Sequence, residues 1–306
     1  MSVVALAGQV GGAKLADGLY RLRREALTVI VNTADDYEHL GLAFSPDIDT
    51  MLYTLAGIAA AGAGWQPEGE RHELHAMVKT LGGPDRPVLG DRSIAAPLLR
   101  TDGLANGRTP TQITLDFCRH LGIAARVLPM SDDPVRAHVL TDEGAVTFHD
   151  YFAQLACEPA VRGFQYAGAA AARISDEVFE ALYAPHLEAV VICPANPYHV
   201  IRPMLEIEGM KALLRRRGVP VVAVTPLIGG KALKGAAGKM MRELGRELSA
   251  RSIAGEYLRL IDGFVLDSED AALLESVRSL DDRVVLAQEV LDFATSIRSR
   301  REAEVE

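Results

Sequence analysis

Four aspartates close together in the sequence are the residues best suited to chemistry. Asp35 and Asp36 follow the apolar run LTVIVN, and Asp47 and Asp49 lie two residues apart in SPDIDT. Carboxylate oxygens bind hard divalent cations, and a carboxylate can also accept a proton from an attacking hydroxyl. The alternatives are a polar turn for the first pair and a capped first helical turn for the second. Capping explains one aspartate better than two, which favours a reactive site.

A glycine-rich segment near the start of the sequence is suited to binding an anion. Gly8, Gly11 and Gly12 precede Lys14 between a predicted strand and a predicted helix. Backbone N–H groups and the positive end of a helix favour phosphate there, and a lysine adds a cation. The alternative is a tight turn without a ligand. The spacing matches neither a P-loop nor GxGxxG, and Asn32 ends the second strand instead of an acidic residue. A nicotinamide-dependent oxidoreductase is therefore disfavoured.

Three later segments also contain residues that could belong to a binding site. Asn196 lies between two prolines in CPANP, and Gly229 and Gly230 begin a glycine- and lysine-rich segment that reaches Lys239. Arg92, in GDRS, could pair bidentately with a phosphate or a carboxylate. The second glycine- and lysine-rich segment could bind phosphates as the first does, whereas the two prolines around Asn196 would fix a rigid loop at the carboxyl edge of the sheet.

Composition excludes several classes of protein. The 306 residues carry a formal net charge of −9, which argues against a general nucleic-acid binder. Three widely spaced cysteines suggest neither a disulfide framework nor structural zinc. HExxH and GxSxG motifs are absent, so a zinc hydrolase and a serine hydrolase both lack support. The first residues predict a buried strand and not a signal peptide, so we expect a cytoplasmic protein without membrane spans.

The elements that must position these residues alternate between short β-branched runs and amphipathic stretches. The first unit is a strand over Val3–Ala7, a turn over Gly8–Gly12, a helix over Lys14–Arg24 and a strand over Leu27–Asn32. Further strands are predicted over Ala125–Leu128, Val135–Leu140, Ala145–His149, Ala189–Cys193, Val219–Thr225, Gly263–Leu266 and Val284–Ala287. Further helices are predicted over Asp49–Ala61, Glu70–Leu81, Arg92–Thr101, Thr111–Leu121, Asp176–Tyr183, Gly209–Arg217, Gly238–Ser249, Ile253–Leu260 and Glu289–Arg301.

This pattern predicts the α/β class, with a Rossmann-like, mostly parallel sheet and helices on both of its faces. An expected β-hairpin over Val135–His149 interrupts the alternation. We therefore predict one domain over 1–306, in which 1–80 and 184–306 form a nucleotide-type α/β core. Residues 81–183 are expected to form an inserted, mixed α/β portion that caps this core.

The order of the motifs resembles the 2-phospho-L-lactate transferase family of coenzyme F420 biosynthesis. The shared segments are AGQVGGAK, VNTADD, GLAFSPDIDTMLYTLAG, LGDRS, LPMSDDPV, CPANP and TPLIGGKALKGAAGKMM. The resemblance implies transfer of a phospho-acid group from a guanosine diphosphate-activated acid to the ribityl hydroxyl of Fo, a deazaflavin. GMP would leave, Mg²⁺ would assist, and the protein would be a homodimer.

The resemblance also implies roles for individual residues. It places Fo near Asp49 and Arg92, and it makes Asp35, Asp36 and Asp47 candidates for metal ligands or for the base. Asp47 and Asp49 are the candidates for orienting or deprotonating the hydroxyl. The nucleotide and its phosphates would lie on the remaining predicted site residues, Gly8, Gly11, Gly12, Lys14, Asn196, Gly229, Gly230 and Lys239.

Two positions depart from the family pattern. Gln9 occupies a position where a glycine is expected, and Ala236 one where a proline is expected. The acid transferred stays open between 2-phospho-L-lactate, phosphoenolpyruvate and 3-phosphoglycerate. A nucleotide-sugar-binding regulatory protein, like the distant gluconeogenesis-factor relatives, is the alternative function.

Overall fold

The computed structural model describes residues 2–216, 218–232, 236–280 and 285–287. The predicted helix over Glu289–Arg301 lies outside these residues. Within them, no helix is both long and apolar enough to cross a bilayer.

The described strands are β1 (Ser2–Ala7), β2 (Leu27–Val31), β3 (Tyr37–His39), β4 (Leu42–Phe44), β5 (Arg126–Pro129), β6 (Arg136–Thr141), β7 (Gly144–Thr147), β8 (Gly163–Ala167), β9 (Leu187–Ile192), β10 (Val221–Val224), β11 (Leu227–Ile228), β12 (Lys231–Ala232), β13 (Gly263–Val265) and β14 (Val285–Ala287). The α-helices are α1 (Gln9–Arg23), α2 (Pro46–Leu55), α3 (Glu73–Thr80), α4 (Ala95–Ala105), α5 (Pro110–His120), α6 (Phe148–Ala153), α7 (Asp176–Tyr183), α8 (Arg202–Glu206), α9 (Met210–Arg216), α10 (Ala237–Glu243), α11 (Ala250–Glu256) and α12 (Leu274–Arg278). A π-helix over Pro197–Ile201 and 3₁₀ turns over Arg24–Ala26 and Ser268–Leu273 complete the described elements.

Seven of these strands form one parallel sheet in the order β14-β13-β10-β9-β1-β2-β5. The chain runs outward from β1 through β2 to β5, and then returns to the other side of β1 at β9. This reversal is the topological switch point of a doubly wound sheet, outside whose strand ends ligands bind. The predicted Rossmann-like α/β fold is confirmed.

Both faces of the sheet are covered. Along β1, Val3 and Ala5 face the side packed by α1 and α2, whereas Val4 and Leu6 belong to a larger core on the opposite side. Strand β2 is buried at every position, as parallel sheets with helices on both faces require.

The predicted turn over Gly8–Gly12 is wrong, because α1 begins directly at Gln9. Gly8 is extended and serves as the N-cap, while Gln9 has a left-handed φ of +56°. The helix predicted over Asp49–Ala61 is also wrong in its bounds. It begins at Pro46 and ends at Leu55, since Gly57 adopts a left-handed φ of +70° that stops the helix.

Residues 81–183, the predicted insertion, contain a second sheet. Strands β6, β7 and β8 pair antiparallel in the order β7-β6-β8, and the first two form the predicted hairpin. The hairpin ends earlier than expected, because α6 begins at Phe148. Strand β5, within 81–183, is an edge strand of the main sheet. The division into core and cap stays a prediction.

Lys239 connects α10 to α6 and to the loop that follows α6. From α10, its ammonium donates to the Tyr151 hydroxyl at 2.9 Å, the Pro159 carbonyl at 2.8 Å and the Glu243 carboxylate at 2.7 Å. Glu243 in turn accepts from the Val161 N–H at 2.9 Å. These bonds use all three ammonium protons within the protein.

We expect Lys239→Met to lower the free energy of unfolding by about 1–3 kcal/mol, since three acceptors lose their donor. Urea denaturation measures this change. The exposed Lys14 of α1 provides the control, and Lys14→Met should change stability by less than about 0.5 kcal/mol. Equal effects of the two substitutions would contradict the structural role of Lys239.

Candidate active site

Asp47 is the buried centre of the crevice at the switch point. Its Oδ1 accepts from the Gln9 N–H at 2.9 Å, and its Oδ2 accepts from the Asn32 side-chain amide at 2.9 Å. The Asn32 amide oxygen accepts in turn from the Ala34 N–H. The carboxylate therefore joins the start of α1, the end of β2 and the first turn of α2. A negative charge at the N-terminus of α1 is favourable.

Close packing at this junction requires two of the glycines. A Cβ on Gly8 would lie 2.5 Å from both Asp47 Oδ2 and a Val200 methyl group. A Cβ on Gly11 would lie 2.5 Å from the Pro194 carbonyl oxygen, in the loop that follows β9. The glycines let the ends of β1 and β9 close on one another, so part of their role is packing.

Asp35 faces the same crevice. Burial, with the nearby charge of Asp35, raises the pKa of Asp47 to about 7. Asp35 Oδ2 lies 2.9 Å from His199 Nδ1, whereas its buried Oδ1 has no hydrogen-bond partner in the structure described. Two carboxylates, one with an unpartnered oxygen, thus share the crevice.

Asp49 belongs to a different arrangement. It forms a buried, two-pronged ion pair with Arg100, which is 4% exposed and also donates to the Ala43 carbonyl at 3.1 Å. Asp36 is near this pair and accepts from the Ser45 hydroxyl at 2.8 Å. Burial raises the pKa of Asp36 to about 8, against the opposing charges of Arg136 and Arg100. The four predicted aspartates therefore divide into two clusters.

A cavity of about 590 Å³ opens beside both clusters. Of the predicted site residues, Asp35, Asp47 and Asp49 line it. Much of the remaining wall is aromatic, and includes Tyr37, Phe44, Tyr53, Trp65, Phe148 and Phe152. A mostly apolar cleft of this size with a few convergent polar groups is typical of a small-molecule site.

The other predicted site residues lie outside this lining. Lys14 is exposed on α1, and Arg92 donates to the Glu68 carbonyl at 2.5 Å. The Asn196 side chain caps the π-helix by accepting from the Tyr198 and His199 N–H groups. Gly12 lies inside α1, next to Ala7 of β1.

The second glycine segment already has an acidic partner. The Gly229 N–H donates to the Asp270 carboxylate at 3.0 Å, and Gly229 and Gly230 both have left-handed φ angles in the β11–β12 turn. Lys239 is held by the three acceptors described above. The roles of these residues in binding nucleotide and phosphate stay predictions.

Sequence reasoning missed three residues that organise the site. Arg100 lies 51 positions from its partner Asp49, and His199 lies 164 positions from Asp35. Glu70 accepts from the Arg92 and Ser93 N–H groups and so shapes the LGDRS loop. The sequence offers no local signal for such pairs, apart from Arg100 itself, which is an arginine in the largely apolar segment of α4.

Comparisons with known proteins identify the family of this chain. A family model described as 2-phospho-L-lactate transferase CofD matches residues 3–297. This chain belongs to the CofD family. It is therefore a transferase, and the family supports a phosphotransfer role in coenzyme F420 biosynthesis.

The relatives of this CofD-family chain are transferases named for two different phospho-acids. The 2-phospho-L-lactate transferase of Methanosarcina mazei is 37% identical over 88% of this chain and 88% of the relative. The phosphoenolpyruvate transferase of Streptomyces griseus is 31% identical over 98% of this chain and 100% of the relative. A solved UPF0052-family structure from Bacillus halodurans covers 100% of this chain and 98% of that chain, with a TM-score of 0.56 and 14% identity. That likeness shows the fold alone.

We expect Arg100→Met to lower the free energy of unfolding by about 3–5 kcal/mol, because the Asp49 charge would be buried without a partner. Chemical denaturation measures the loss. Adding Asp49→Asn should restore much of it, since the orphaned charge is then removed. A double variant no more stable than the single one would contradict this account of the pair.

The raised pKa values predict that stability falls as the pH rises. In the unfolded chain, the pKa values of Asp36 and Asp47 are near 4. In the folded protein they are about 8 and about 7. Between these pH values the folded protein therefore binds more protons than the unfolded chain does. Its free energy of unfolding then decreases with increasing pH. Urea denaturation in EDTA between pH 5 and 8 checks this. The stability of Asp36→Asn relative to the natural chain should rise across that range, and a constant difference would refute it.

Proposed function

We propose that this chain transfers a phospho-acid group from a guanosine diphosphate-activated phospho-acid to the ribityl hydroxyl of Fo, with Mg²⁺ and release of GMP. The observation that carries the proposal is the pair of buried carboxylates, Asp35 and Asp47, where the switch point meets an aromatic-lined cavity. A switch point is where a doubly wound sheet binds nucleotides. The family assignment supplies the reaction type.

The residues present fit a divalent cation that is held partly by its substrate. No group of three or more metal-ligating side chains occurs in the described segments. Mg²⁺ is commonly bound by one or two carboxylates together with substrate phosphates. Asp35, with its buried unpartnered Oδ1, would hold it, and the adjacent Asp47 adds negative charge. Asp36 also has a buried Oδ1 without a partner, but it does not line the cavity and it feels the charges of Arg136 and Arg100, so it is left out of this assignment. Bound Mg²⁺ would neutralise charge on the phosphates of the donor.

The cavity suits a planar acceptor. Tyr37 stacks on Phe44 and on His149, with ring centroids 4.9 and 3.4 Å apart, and forms an aromatic wall. Trp65 and Phe152 line the same cavity while remaining about half exposed, at 54% and 57%. A deazaflavin ring stacked here would place its ribityl chain toward the carboxylates. The Asp49–Arg100 pair would keep that wall rigid and act as a positioning group.

Asp47 is the residue we assign to the hydroxyl of Fo. Both of its oxygens are oriented by donors, and a pKa of about 7 suits a proton acceptor at neutral pH. The ribityl oxygen forms a bond to the phosphorus of the phospho-acid group, and the bond from that phosphorus to the GMP phosphate oxygen breaks. The hydroxyl proton passes to Asp47. Phosphoryl transfer depends mainly on positioning and charge stabilisation, so the base supplies only part of the rate.

This proposal leaves open which of the three phospho-acids is transferred. The names of the relatives include 2-phospho-L-lactate and phosphoenolpyruvate. The regulatory alternative predicts tight binding of a UDP-sugar without turnover of Fo. Cytoplasmic location and homodimerisation, both expected from the sequence or the resemblance, stay predictions.

The direct test combines Fo, Mg²⁺, GTP, each phospho-acid and its activating guanylyltransferase, with products read by mass spectrometry. We expect a deazaflavin that carries one phospho-acid group, together with GMP. Asp47→Asn should lower turnover about 10²–10⁴-fold, as loss of a general base does. It should change Mn²⁺ affinity less than Asp35→Asn does.

Asp17→Asn, at an α1 position paired with Arg21, is the matched control and should turn over normally. Failure to form a product with any of the three acids would overturn the proposed reaction. Full turnover by Asp47→Asn would overturn the role of Asp47 alone.

A further inference from the structure

His199 joins Asp35 to Gln9 across the crevice. Its Nδ1 lies 2.9 Å from Asp35 Oδ2, and its Nε2 lies 3.2 Å from the Gln9 side-chain nitrogen. The histidine is 1% exposed. It stands on the π-helix after β9, while Gln9 begins α1 after β1, so the contact spans both sides of the switch point.

The hydrogen bonds define which atoms donate. The Asn196 N–H donates to the Gln9 amide oxygen at 3.4 Å, which turns the amide nitrogen toward His199. That nitrogen donates to His199 Nε2, so the ring proton is on Nδ1. His199 then donates this proton to Asp35 Oδ2. The chain of donors runs from Gln9 through His199 to Asp35.

Two further contacts hold this chain in place. The Phe148 ring, from the inserted portion, stacks on His199 with centroids 3.6 Å apart and planes 14° apart. Gln9 keeps a left-handed φ of +56°, which is uncommon for any residue except glycine. Such a conformation persists where surrounding contacts impose it, and here Gln9 is held by its N–H to Asp47 and by its amide to His199.

We propose that Gln9 and His199 are positioning residues for the cation site, which orient Asp35 so that its Oδ1 faces the cation. His199 Nδ1 contacts Oδ2 of Asp35, whereas the buried Oδ1 of Asp35 has no hydrogen-bond partner. The inference rests on the proposed function, since that assigns the cation to Asp35. Outer partners that fix the orientation of a ligand commonly change metal affinity 10–100-fold when they are removed.

Mn²⁺ binding, followed by electron paramagnetic resonance of the free ion with and without GDP, tests this without any turnover. His199→Phe keeps an aromatic ring on Phe148 but loses the donor to Asp35, and should weaken Mn²⁺ binding about tenfold or more. His199→Asn keeps an amide donor near the position of Nδ1. It should retain affinity within about threefold, in line with a role limited to orientation.

Gln9→Gly and Gln9→Ala separate positioning from backbone strain. Both remove the amide, so both should weaken Mn²⁺ binding to a similar extent. Only glycine relieves the left-handed backbone, so Gln9→Gly should have the higher Tm of the two. These variants also keep the test decisive if His199→Phe does not fold.

Unchanged Mn²⁺ affinity in Gln9→Ala and His199→Phe would overturn the inference, and so would a natural chain that binds no Mn²⁺ with or without GDP. Equal weakening by His199→Asn and His199→Phe would also overturn it, because the donor to Asp35 would then be irrelevant. Failure of the proposed function looks different. In that case the variants would still change Mn²⁺ affinity as described, but the assay with Fo would give no product.

Discussion

The buried carboxylate of Asp47 is the constraint on which the site depends. A carboxylate removed from water must be hydrogen-bonded or neutralised, and here the Gln9 N–H and the Asn32 amide satisfy it. Those two bonds place the start of α1 and the end of β2 against the first turn of α2. They also explain why Gly8 lacks room for a side chain and why Gln9 enters the helix with a left-handed backbone. The geometry of the switch point follows from one desolvated group.

The four aspartates show how one short stretch of sequence yields two environments. Asp49 has the buried Arg100 as its partner, and Asp36 is near the positive charges of Arg136 and Arg100. Asp47 accepts from two amide groups, Asp35 contacts His199, and the two carboxylates lie near one another. In the first cluster, Arg100 compensates the charge of Asp49, which lines the cavity. The second lines the cavity, and we propose that a cation and a phosphorylated donor complete it. A direct arginine partner distinguishes Asp49 from Asp35 and Asp47, the two carboxylates to which we assign the cation and the substrate hydroxyl.

Much of the fold followed from local pattern, because β1, β2 and β9 are continuous apolar runs that only a covered parallel sheet accommodates. The carboxylates at the end of β2 were identifiable for the same reason. The Gly8–Gly12 turn was mispredicted because its conformation depends on Asp47, 38 positions away. Arg100, His199 and the acidic partner of Gly229 are likewise products of tertiary contact. Lys239 resembles a phosphate ligand in sequence, yet Tyr151, Pro159 and Glu243 surround it in the fold.

The proposed cation site lies at Asp35, beside Asp47 and next to the aromatic cavity. Anomalous scattering from Mn²⁺ in crystals grown with GDP and Fo tests it most directly. We predict one strong anomalous peak within coordination distance of Asp35 Oδ1, and we predict that the Fo ring lies in the cavity against Tyr37. A peak at Asp49 and Arg100, or Fo bound away from the carboxylates, would contradict it.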